Sequence, residues 1–399
     1  MQPLRVLHVT PYGGGAWAYG GIPRLSDVMA RGLAARGHHV TVCTTDACAA
    51  DRRLTPDRGR RSLAPWPPSR FGRDVELRVF PNLSNRLAYR QLFLPIGLSG
   101  YLKRQGGAFD IAHLHACRNV PGVIAARYLK SSRVPYVVSP NGTAPNLERR
   151  RAAKRAFDAI FGNVMYGAAT VIATTRAEHR QLTATGIPVK RIAVVPNPLA
   201  LDEFDPPVPR ERFRARLHID GPLVAYLGKL TPRKRVPLLV RAFASLGLPE
   251  STLVIGGNDM GGGAAARAVA RELGVQQRVI FTGLMTGRER LELLASADVL
   301  VYPSEHEIFG LVPLEALLCG TPVVVADDSG CGEVIASTGG GLVVRGDVEA
   351  LRSAIAHVLD NSAHWKAAAS EAAKRVRALY APDVVCSQLE SVYADIVAG

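Results

Sequence analysis

The chain has 399 residues, of which 47% are hydrophobic and 21% charged, with a formal net charge of +15. The length allows two or three domains, and the composition excludes a disordered or fibrous chain. No apolar run approaches the ~20 residues that a membrane-spanning helix needs. The first ten residues lack the basic flank and apolar core of a signal peptide, so we expect a cytosolic protein.

The positive charge has more than one interpretation. Nucleic-acid-binding proteins and proteins at anionic membranes carry such an excess, and a GC-rich genome also raises arginine content. No recognition helix, zinc finger or aromatic RNA-binding pattern accompanies the charge, so we expect no nucleic acid partner. The six cysteines form no C-x-x-C pair, and their small or apolar neighbours predict buried thiols.

Short β-branched runs alternate with helical patterns through the first half of the chain. Residues 22–36 place Ile22, Leu25 and Met29 on one stripe, which is typical of an amphipathic helix. Such alternation predicts a doubly wound parallel sheet. The predicted strands of this half are 4–9, 39–44, 75–80, 110–115, 135–139, 170–174 and 192–196.

A glycine-rich segment, GGGAWAYGG at residues 13–21, follows the first predicted strand. Gly20 and Gly21 would let the backbone at a helix start approach a phosphate or a sugar ring. A glycine pair is also common in plain turns. The residues before it predict a mobile loop whose Trp17 and Tyr19 stack on a sugar.

The predicted strand 110–115 carries His113 and His115, which lie on one face because they are two positions apart. Both imidazoles can be structural. His115 is nearer the carboxyl end of the strand, so we expect it to donate to a sugar hydroxyl or a leaving group. No third ligand stands at a suitable spacing, and we therefore expect no metal here.

Residues 196–222 are proline-rich and irregular, and they predict a linker. Strand–helix alternation then restarts, which predicts a second Rossmann-like domain. We expect domains 1–198 and 199–381 to face each other across a cleft that receives the carboxyl-end loops of both sheets. The predicted strands of the second half are 222–228, 252–257, 278–283, 298–304 and 322–327.

The segment GKLTPRKR, residues 228–235, comes directly after the first strand of the second half. After Gly228, Lys229 and Lys234 place two cations where such a sheet binds ligands. They would neutralise charge on a departing nucleoside diphosphate. The alternative is a solvated basic turn. The chain has no D-x-D motif, so we expect these lysines to act in place of a metal.

The strand 298–304 leads through EHEIFG into a helix with Pro313 in its first turn, where proline is tolerated. The amides of Gly310, Leu311 and Val312 then lie at the positive end of the helix dipole, which suits a diphosphate.

Two carboxylates flank this turn. Glu307 precedes it and would accept hydrogen bonds from a sugar, whereas Glu315, one turn into the helix, would accept both ribose hydroxyls. A capping glutamate followed by a solvated helical one is the alternative interpretation.

Together these motifs resemble the family 4 retaining glycosyltransferases of the GT-B fold. The resemblance covers nearly the whole chain, and its most specific part is the pair Glu307 and Glu315 with Phe309-Gly310 between them. It implies that Glu307 contacts the transferred sugar. The backbone from Ile308 to Leu311 meets sugar and phosphate, and Lys229 and Lys234 take the place of the usual Arg-and-Lys pair. Lys229 keeps the charge of arginine but loses its bidentate fork.

In the first domain the resemblance implies that Gly21 lines the donor phosphate and His115 the donor sugar. The resemblance also implies that the last helix, 382–399, packs back on the first domain. Asn141, in SPNGTAP, stands where many relatives carry His-Gly. The candidates on the acceptor side are Trp17, Tyr19, Asn141 and Arg150.

We therefore predict a metal-independent, retaining glycosyltransferase. It would move a hexose from a nucleoside diphosphate sugar to a glycan or lipid-linked acceptor in polysaccharide biosynthesis. The alternatives are a sugar-nucleotide epimerase, an inverting transferase with His115 as base, and a non-catalytic nucleotide-sugar-binding protein.

Residues 146–167 combine apolar positions at helical spacing with five cations. An ordinary surface helix with a solvated basic end is one interpretation. In the other, the cations meet an anionic membrane or the pyrophosphate of a lipid-linked acceptor, which would make the protein peripheral on the inner face of the membrane. The cations are Arg149, Arg150, Arg151, Lys154 and Arg155.

Overall fold

The computed structural model describes residues 2–49, 52–54, 75–145, 151–328 and 330–399. The chain forms two compact units, Met1–Leu199 with Pro382–Gly399 and Ala200–Ala381. Each unit is built on a parallel sheet with helices. Among the described helices, none combines the length and the apolar character that crossing a membrane requires.

Strands and helices alternate along the described chain. The strands are β1 (Arg5–Val9), β2 (His39–Thr45), β3 (Val75–Phe80), β4 (Ile111–His115), β5 (Tyr136–Ser139), β6 (Thr170–Ala173), β7 (Ile192–Val194), β8 (Leu223–Leu227), β9 (Thr252–Gly256), β10 (Val279–Gly283), β11 (Val299–Tyr302), β12 (Val323–Ala326) and β13 (Gly341–Val344). The helices are α1 (Ile22–Ala35), α2 (Asn85–Tyr89), α3 (Leu98–Gln105), α4 (Val120–Ser131), α5 (Arg151–Phe161), α6 (Val164–Gly167), α7 (Arg176–Ala184), α8 (Glu211–Leu217), α9 (Val236–Ala244), α10 (Gly263–Glu272), α11 (Gly287–Ser296), α12 (Leu311–Leu318), α13 (Gly330–Thr338), α14 (Val348–Asp360), α15 (Ser362–Tyr380) and α16 (Pro382–Ala398).

In the first unit the described strands form a seven-stranded sheet in the order β3-β2-β1-β4-β5-β6-β7. The order reverses between β1 and β4. In register, His8 of β1 pairs with His113 of β4, and His115 of β4 pairs with Ser139 of β5. The parallel sheet predicted for this half is confirmed.

The two faces of this sheet are covered by different helices. On one face, Val6 and Ile111 pack with residues of α1 and α16, among them Leu33 and Leu389. Side chains alternate along a strand, so His8, two residues after Val6, faces the same layer. The opposite face packs against α3, α4 and α6.

Helix α16 belongs to the first unit although it is the last element of the chain. Arg36, after α1, pairs with Asp383 and with Glu390 of α16. His38 accepts from the Leu4 amide through Nδ1 and hydrogen-bonds Glu390 through Nε2 at 2.8 Å. Charged contacts therefore anchor α16 to the first unit in addition to its apolar contacts.

In the second unit the described strands form a six-stranded sheet in the order β10-β9-β8-β11-β12-β13. Its central strand β8 is buried at every position, as expected for a strand covered on both faces. The order reverses between β8 and β11. Strand β13 was not predicted. The predicted linker is not irregular throughout, because it contains α8 and a 3₁₀ turn at Leu201–Phe204.

Candidate functional site

The two most specific motifs follow neighbouring strands of the second sheet. Residues 228–235 come after β8 and residues 303–310 come after β11, and these two strands flank the reversal of strand order. Ligands of open α/β sheets bind at the carboxyl ends of strands at such a switch point. The fold of this unit therefore brings the two motifs to one place.

The loop after β8 is pressed against the loop after β9. The Leu230 amide donates to the Asn258 carbonyl at 2.9 Å. A Cβ at Gly257 would lie 1.8 Å from the carbonyl oxygen of Gly228, and Gly257 has a φ of +142°. Only glycine fits there, so the close approach fixes the course of the chain that carries the two lysines.

Direct hydrogen bonds join the loops after β8 and β11. The Glu305 amide donates to the Arg233 carbonyl at 2.8 Å, and an Arg233 guanidinium nitrogen donates to the His306 carbonyl at 3.3 Å. Lys234 forms an ion pair with Glu307. The predicted cation and the predicted sugar-binding carboxylate are thus direct partners.

Lys234 is 5% exposed, and its Nζ donates to the Tyr302 hydroxyl at 2.7 Å. The Ser304 hydroxyl donates to Glu307 Oε2 at 3.1 Å. Burial raises the pKa of Glu307, but the nearby charges of Lys234 and Arg233 and the hydrogen bonds outweigh it and lower the pKa to about 2. Glu307 is therefore an anion at neutral pH and accepts hydrogen bonds only.

Sequence reasoning missed the two tyrosines that support the lysines. Tyr226 and Tyr302 stack with ring centroids 5.9 Å apart. The Tyr226 hydroxyl donates to the Lys229 carbonyl at 3.1 Å. Both tyrosines lie in strands whose sequences are apolar runs. Their contacts with the lysines become visible only in the structure, where β8 and β11 are neighbours.

Gly310 begins the helix after the second motif. Its φ of +78° lies in the left-handed region, and a Cβ would come within 2.4 Å of Cys331 Sγ. Helix α12 starts at Leu311 and has Pro313 as its third residue. The amides of Gly310, Leu311 and Val312 have no hydrogen-bond acceptor among the described residues. These donors at a helix N-terminus suit a phosphate.

Phe309 is buried. Its ring meets Tyr380 edge-on with centroids 5.4 Å apart, and the adjacent Ile308 is also buried. The side chains at 308 and 309 therefore anchor the turn in the core. Their backbone remains the part available to a ligand.

Glu315 is buried and paired. Its Oε2 accepts from Arg290 at 2.8 Å, and the same guanidinium forms an ion pair with Glu203. The predicted ribose carboxylate therefore has a buried counter-ion from α11, which the sequence did not indicate. A buried carboxylate with a buried partner is also consistent with a structural ion pair.

Three imidazoles meet in the interior of the first unit. His8 Nδ1 lies 3.0 Å from His115 Nε2, so one of these nitrogens donates to the other. His113 hydrogen-bonds Ser139 and Tyr393, each at 2.7 Å. His8 Nε2 and His115 Nδ1 are buried without a partner among the described residues.

The expectation that no third potential ligand accompanies His113 and His115 is wrong. His8 arrives from the neighbouring strand, a proximity that sequence spacing cannot show, and ligand atoms of the three lie within 4.8 Å of one another. The rings of His113 and His115 are stacked, 4.4 Å apart at 12°. Imidazole lone pairs lie in the ring plane, so stacked rings do not converge on one ion. Metal ligation would also cost His113 a hydrogen bond.

Burial lowers the pKa of all three histidines. The pKa of His8 falls to about 3. The pKa values of His113 and His115 fall well below 6.5, with repulsion from the neighbouring imidazoles as a second cause. The cluster is therefore neutral at physiological pH, and each ring offers one donor and one acceptor.

One predicted feature of the glycine-rich segment is wrong, the stacking of Tyr19 on a sugar. Trp17–Tyr19 forms a 3₁₀ turn. Tyr19 is buried and stacks on Tyr12 with centroids 5.1 Å apart, so its ring is not available to a sugar. The segment turns inward because Ala16 and Tyr19 join an apolar cluster with Phe93. Trp17 has the Arg24 guanidinium over its ring.

The glycine pair occupies the predicted place at the start of α1. Gly20 has a φ of +93°, and Gly21 caps the helix. Asn141, which was predicted for the acceptor side, lies in a turn after β5 with a φ of +50°. Arg150 lies outside the described residues, as does much of the basic segment to which it belongs.

Comparisons with known proteins match both units. The family described as glycosyl transferases group 1 matches residues 208–376, and the family described as glycosyl transferase 4-like domain matches residues 20–198. The D-inositol 3-phosphate glycosyltransferase of Acidothermus cellulolyticus is 31% identical over 360 residues, which are 83% of this chain and 76% of that one.

Another such protein, from Xylanimonas cellulosilytica, is 37% identical over 188 residues, spanning 44% of this chain and 45% of that one. The chain also resembles the crystal structure of Anabaena Alr3699/HepE in complex with UDP and glucose. The TM-score is 0.74 at 19% identity, with 98% of this chain and 100% of that one covered. At this identity the likeness shows the fold.

Proposed function

Since the chain belongs to the group 1 glycosyl transferases of GT-B fold and is therefore a glycosyltransferase, we propose that it transfers a hexose from a nucleoside diphosphate sugar with retention of configuration and without a metal. The acceptor in this proposal is a glycan or a lipid-linked saccharide, and the product serves polysaccharide biosynthesis.

The observation that carries the proposal is the pairing of Lys234 with Glu307 beside the turn at Gly310. A cation, a carboxylate and a set of helix-terminal amides that have no acceptor in the described part of the chain suit three parts of one ligand. The amides and the cation suit the diphosphate. The carboxylate suits the hydroxyls of the sugar attached to it.

The relatives support a nucleotide donor. HepE has been solved with UDP, with UDP and glucose, and with UDP-glucose. The names of the curated relatives point to a phosphorylated inositol as their acceptor. A phosphorylated polyol therefore belongs in any acceptor panel beside glycans.

In the proposed reaction an acceptor hydroxyl oxygen forms a bond to the anomeric carbon while the bond from that carbon to the diphosphate breaks. The leaving phosphate takes the proton of the acceptor hydroxyl, so the charges balance without a separate base. Lys229, Lys234 and the α12 amides stabilise the negative charge that grows on the diphosphate. Glu307 holds the sugar in position.

We also propose a peripheral membrane contact through α5. The helix exposes Ile160 at 73% and Phe161 at 46%, and Arg155 is exposed as well. Exposed apolar side chains next to cations are typical of helices that lie at an anionic membrane surface.

The donor is tested by thermal shift with UDP-, GDP- and ADP-sugars. A ligand present at 100 times its dissociation constant should stabilise the protein by about 2.7 kcal/mol. We expect one nucleotide class to do so, and the shift and the turnover to persist in EDTA. A shift that disappears with EDTA and returns with manganese would contradict metal independence. A donor that shifts the transition but is never consumed would favour the non-catalytic alternative.

A further inference from the structure

The turn that carries Asn141 has an unusual backbone. Asn141 and Gly142 are consecutive residues with φ of +50° and +76°. The left-handed region costs roughly 1–2 kcal/mol for most residues with a side chain, and Asn is one of the few that adopt it. The Asn141 amide nitrogen donates to the Ser139 carbonyl at 3.3 Å. Its oxygen is buried without a partner among the described residues.

This turn lies at the edge of the first sheet that is formed by the carboxyl ends of its strands. It follows β5 directly, and Ser139 at the end of β5 is in register with His115. The Ala116 amide donates to the Ser139 carbonyl at 2.9 Å. The turn therefore continues from the strand beside His115, at the carboxyl ends where α/β sheets bind ligands.

Glu178, in the first turn of α7, reaches this turn from the side of β6. One carboxylate oxygen accepts from the Gly142 amide at 2.7 Å. The other accepts from the amide and the hydroxyl of Thr174, at 2.8 and 2.9 Å. Glu178 is only 1% exposed, so this carboxylate binds two loops at once inside the protein.

A carboxylate suits this position because its three partners are all donors. Burial raises the pKa of Glu178, and the hydrogen bonds from Thr174 and Gly142 oppose that change. A glutamine at this position would place its NH₂ group, which is a donor, against one of these donors. An apolar side chain would leave the Gly142 amide unpaired, which is costly for a buried group.

A second group holds the same turn from the other side. Arg118 donates to the carbonyls of Thr143 and Ala144 at 2.9 and 2.7 Å, and it also pairs with Asp158 of α5 at 2.8 Å. The segment after Gly142 is therefore fixed independently of Glu178. Loss of Glu178 should release the Asn141–Gly142 backbone without unfolding the whole loop.

We propose that Glu178 is a positioning residue that fixes the left-handed turn and so presents the Asn141 amide oxygen to a hydroxyl group of the acceptor. The inference rests on the proposed function, since it assigns Asn141 to the acceptor. Glu178 itself does not contact the acceptor. It acts through the Gly142 backbone.

The test compares Glu178→Gln with Asn141→Ala and the double variant, in transfer assays at saturating donor. Misplacing a group that orients a substrate by about 1 Å costs up to ~10²-fold in rate. We expect each single variant to lower kcat/KM for the acceptor about 10- to 100-fold. UDP affinity should stay within about twofold, because the nucleotide groups belong to the second unit. The double variant should be no worse than the poorer single one, which is the signature of coupled residues.

Glu390→Gln is the matched control, because it makes the same chemical change at a buried carboxylate of the same unit that bonds His38 and Arg36. It should lower Tm and leave acceptor kinetics unchanged. If Glu178→Gln behaves like Glu390→Gln, or if its effect adds to that of Asn141→Ala, Glu178 is structural and the proposal is wrong.

A failure of the proposed function can be distinguished from a failure of the inference about Glu178. If the wild type transfers no sugar, the hydrogen exchange of the Gly142 amide still reports on the turn. Slow exchange in the wild type that becomes fast in Glu178→Gln but not in Glu390→Gln would show that Glu178 fixes the turn even though the proposed function has failed. Unchanged exchange overturns the positioning role.

Discussion

Lys234 and Glu307 form an ion pair inside the second unit, with side chains 7% and 19% exposed. The Tyr302 hydroxyl accepts from Lys234 at 2.7 Å, and the ammonium also lies 4.7 Å from the centre of the Tyr302 ring. The proposed donor would therefore meet a cation whose position is already set by a carboxylate and a phenol.

Lys234→Met should lower kcat by roughly 10²- to 10³-fold, and by more than it weakens donor binding. The charge on the leaving diphosphate grows toward the transition state, so a cation there acts differentially. Steady-state kinetics and calorimetric titration of the donor measure the two effects. Arg241→Met, at an exposed pair with Glu272, is the control and should change neither. Equal losses in donor affinity and in kcat would argue against this role for Lys234.

Glu315→Gln should mainly weaken nucleotide binding, because the ribose hydroxyls do not change during transfer. Loss of a charged hydrogen-bond partner costs about 1.5–3 kcal/mol, which calorimetry of UDP with each variant can resolve. Glu203→Gln, which changes another carboxylate paired with Arg290, is the control and should leave UDP affinity unchanged. If the two variants lose stability alike and keep full affinity, Glu315 is a structural partner of Arg290.

The three-histidine cluster should make the protein less stable below about pH 6.5. Burial lowers the pKa of His8 to about 3, whereas an imidazole in the unfolded chain protonates near 6.5. Between these values the unfolded state binds more protons. The free energy of unfolding therefore falls as the pH decreases, by up to about 1.4 kcal/mol per pH unit for each such proton.

Denaturant unfolding between pH 7 and pH 4 measures this slope. His8→Leu should make it shallower. His39→Leu, at an exposed imidazole of the same unit, is the control. A slope that is the same in His8→Leu and in the wild type would show that His8 is not kept neutral by the fold.

The membrane contact of α5 should depend on both its cations and its apolar residues. Each cation near an anionic leaflet contributes roughly 1 kcal/mol, and this attraction is screened within about 3 Å at 1 M salt. In liposome co-sedimentation, changing Arg149, Arg150, Arg151, Lys154 and Arg155 to glutamine should abolish binding at low salt. Ile160→Ser with Phe161→Ser should weaken it.

Leu379→Ser removes an exposed apolar residue from the second unit and should leave liposome binding unchanged. If the wild type already ignores anionic liposomes at low salt, α5 is a plain surface helix and a soluble acceptor is favoured.

Much of the fold follows from local patterns in the sequence. The twelve predicted strands are all present, because buried parallel strands are short β-branched runs between turn residues. Strand β13 was missed because its run, GLVV, is short and follows two further glycines. The buried thiols were predicted from their apolar neighbours, and five of the six cysteines are buried.

The sequence predicted a residue of the candidate site only where that residue belongs to a local motif. Lys234 and Glu307 were chosen separately from two loops, and their contact depends on β8 and β11 being neighbours. Sequence reasoning missed three residues whose partners lie at least 25 positions away along the chain. They are His8, Arg290 and Glu178, which contact His115, Glu315 and Gly142. Tyr19 was misassigned because its sequence context does not show the apolar cluster that buries it.

The most direct test of the proposed activity is an NMR time course of donor and acceptor with the purified protein. The acceptor panel should contain glycans, a lipid-linked saccharide and a phosphorylated polyol. We predict release of the nucleoside diphosphate and a product whose anomeric centre has the configuration of the donor, with the signal lost in Lys234→Met. An inverted anomeric centre, or an epimerised sugar released without transfer, would contradict the proposed reaction.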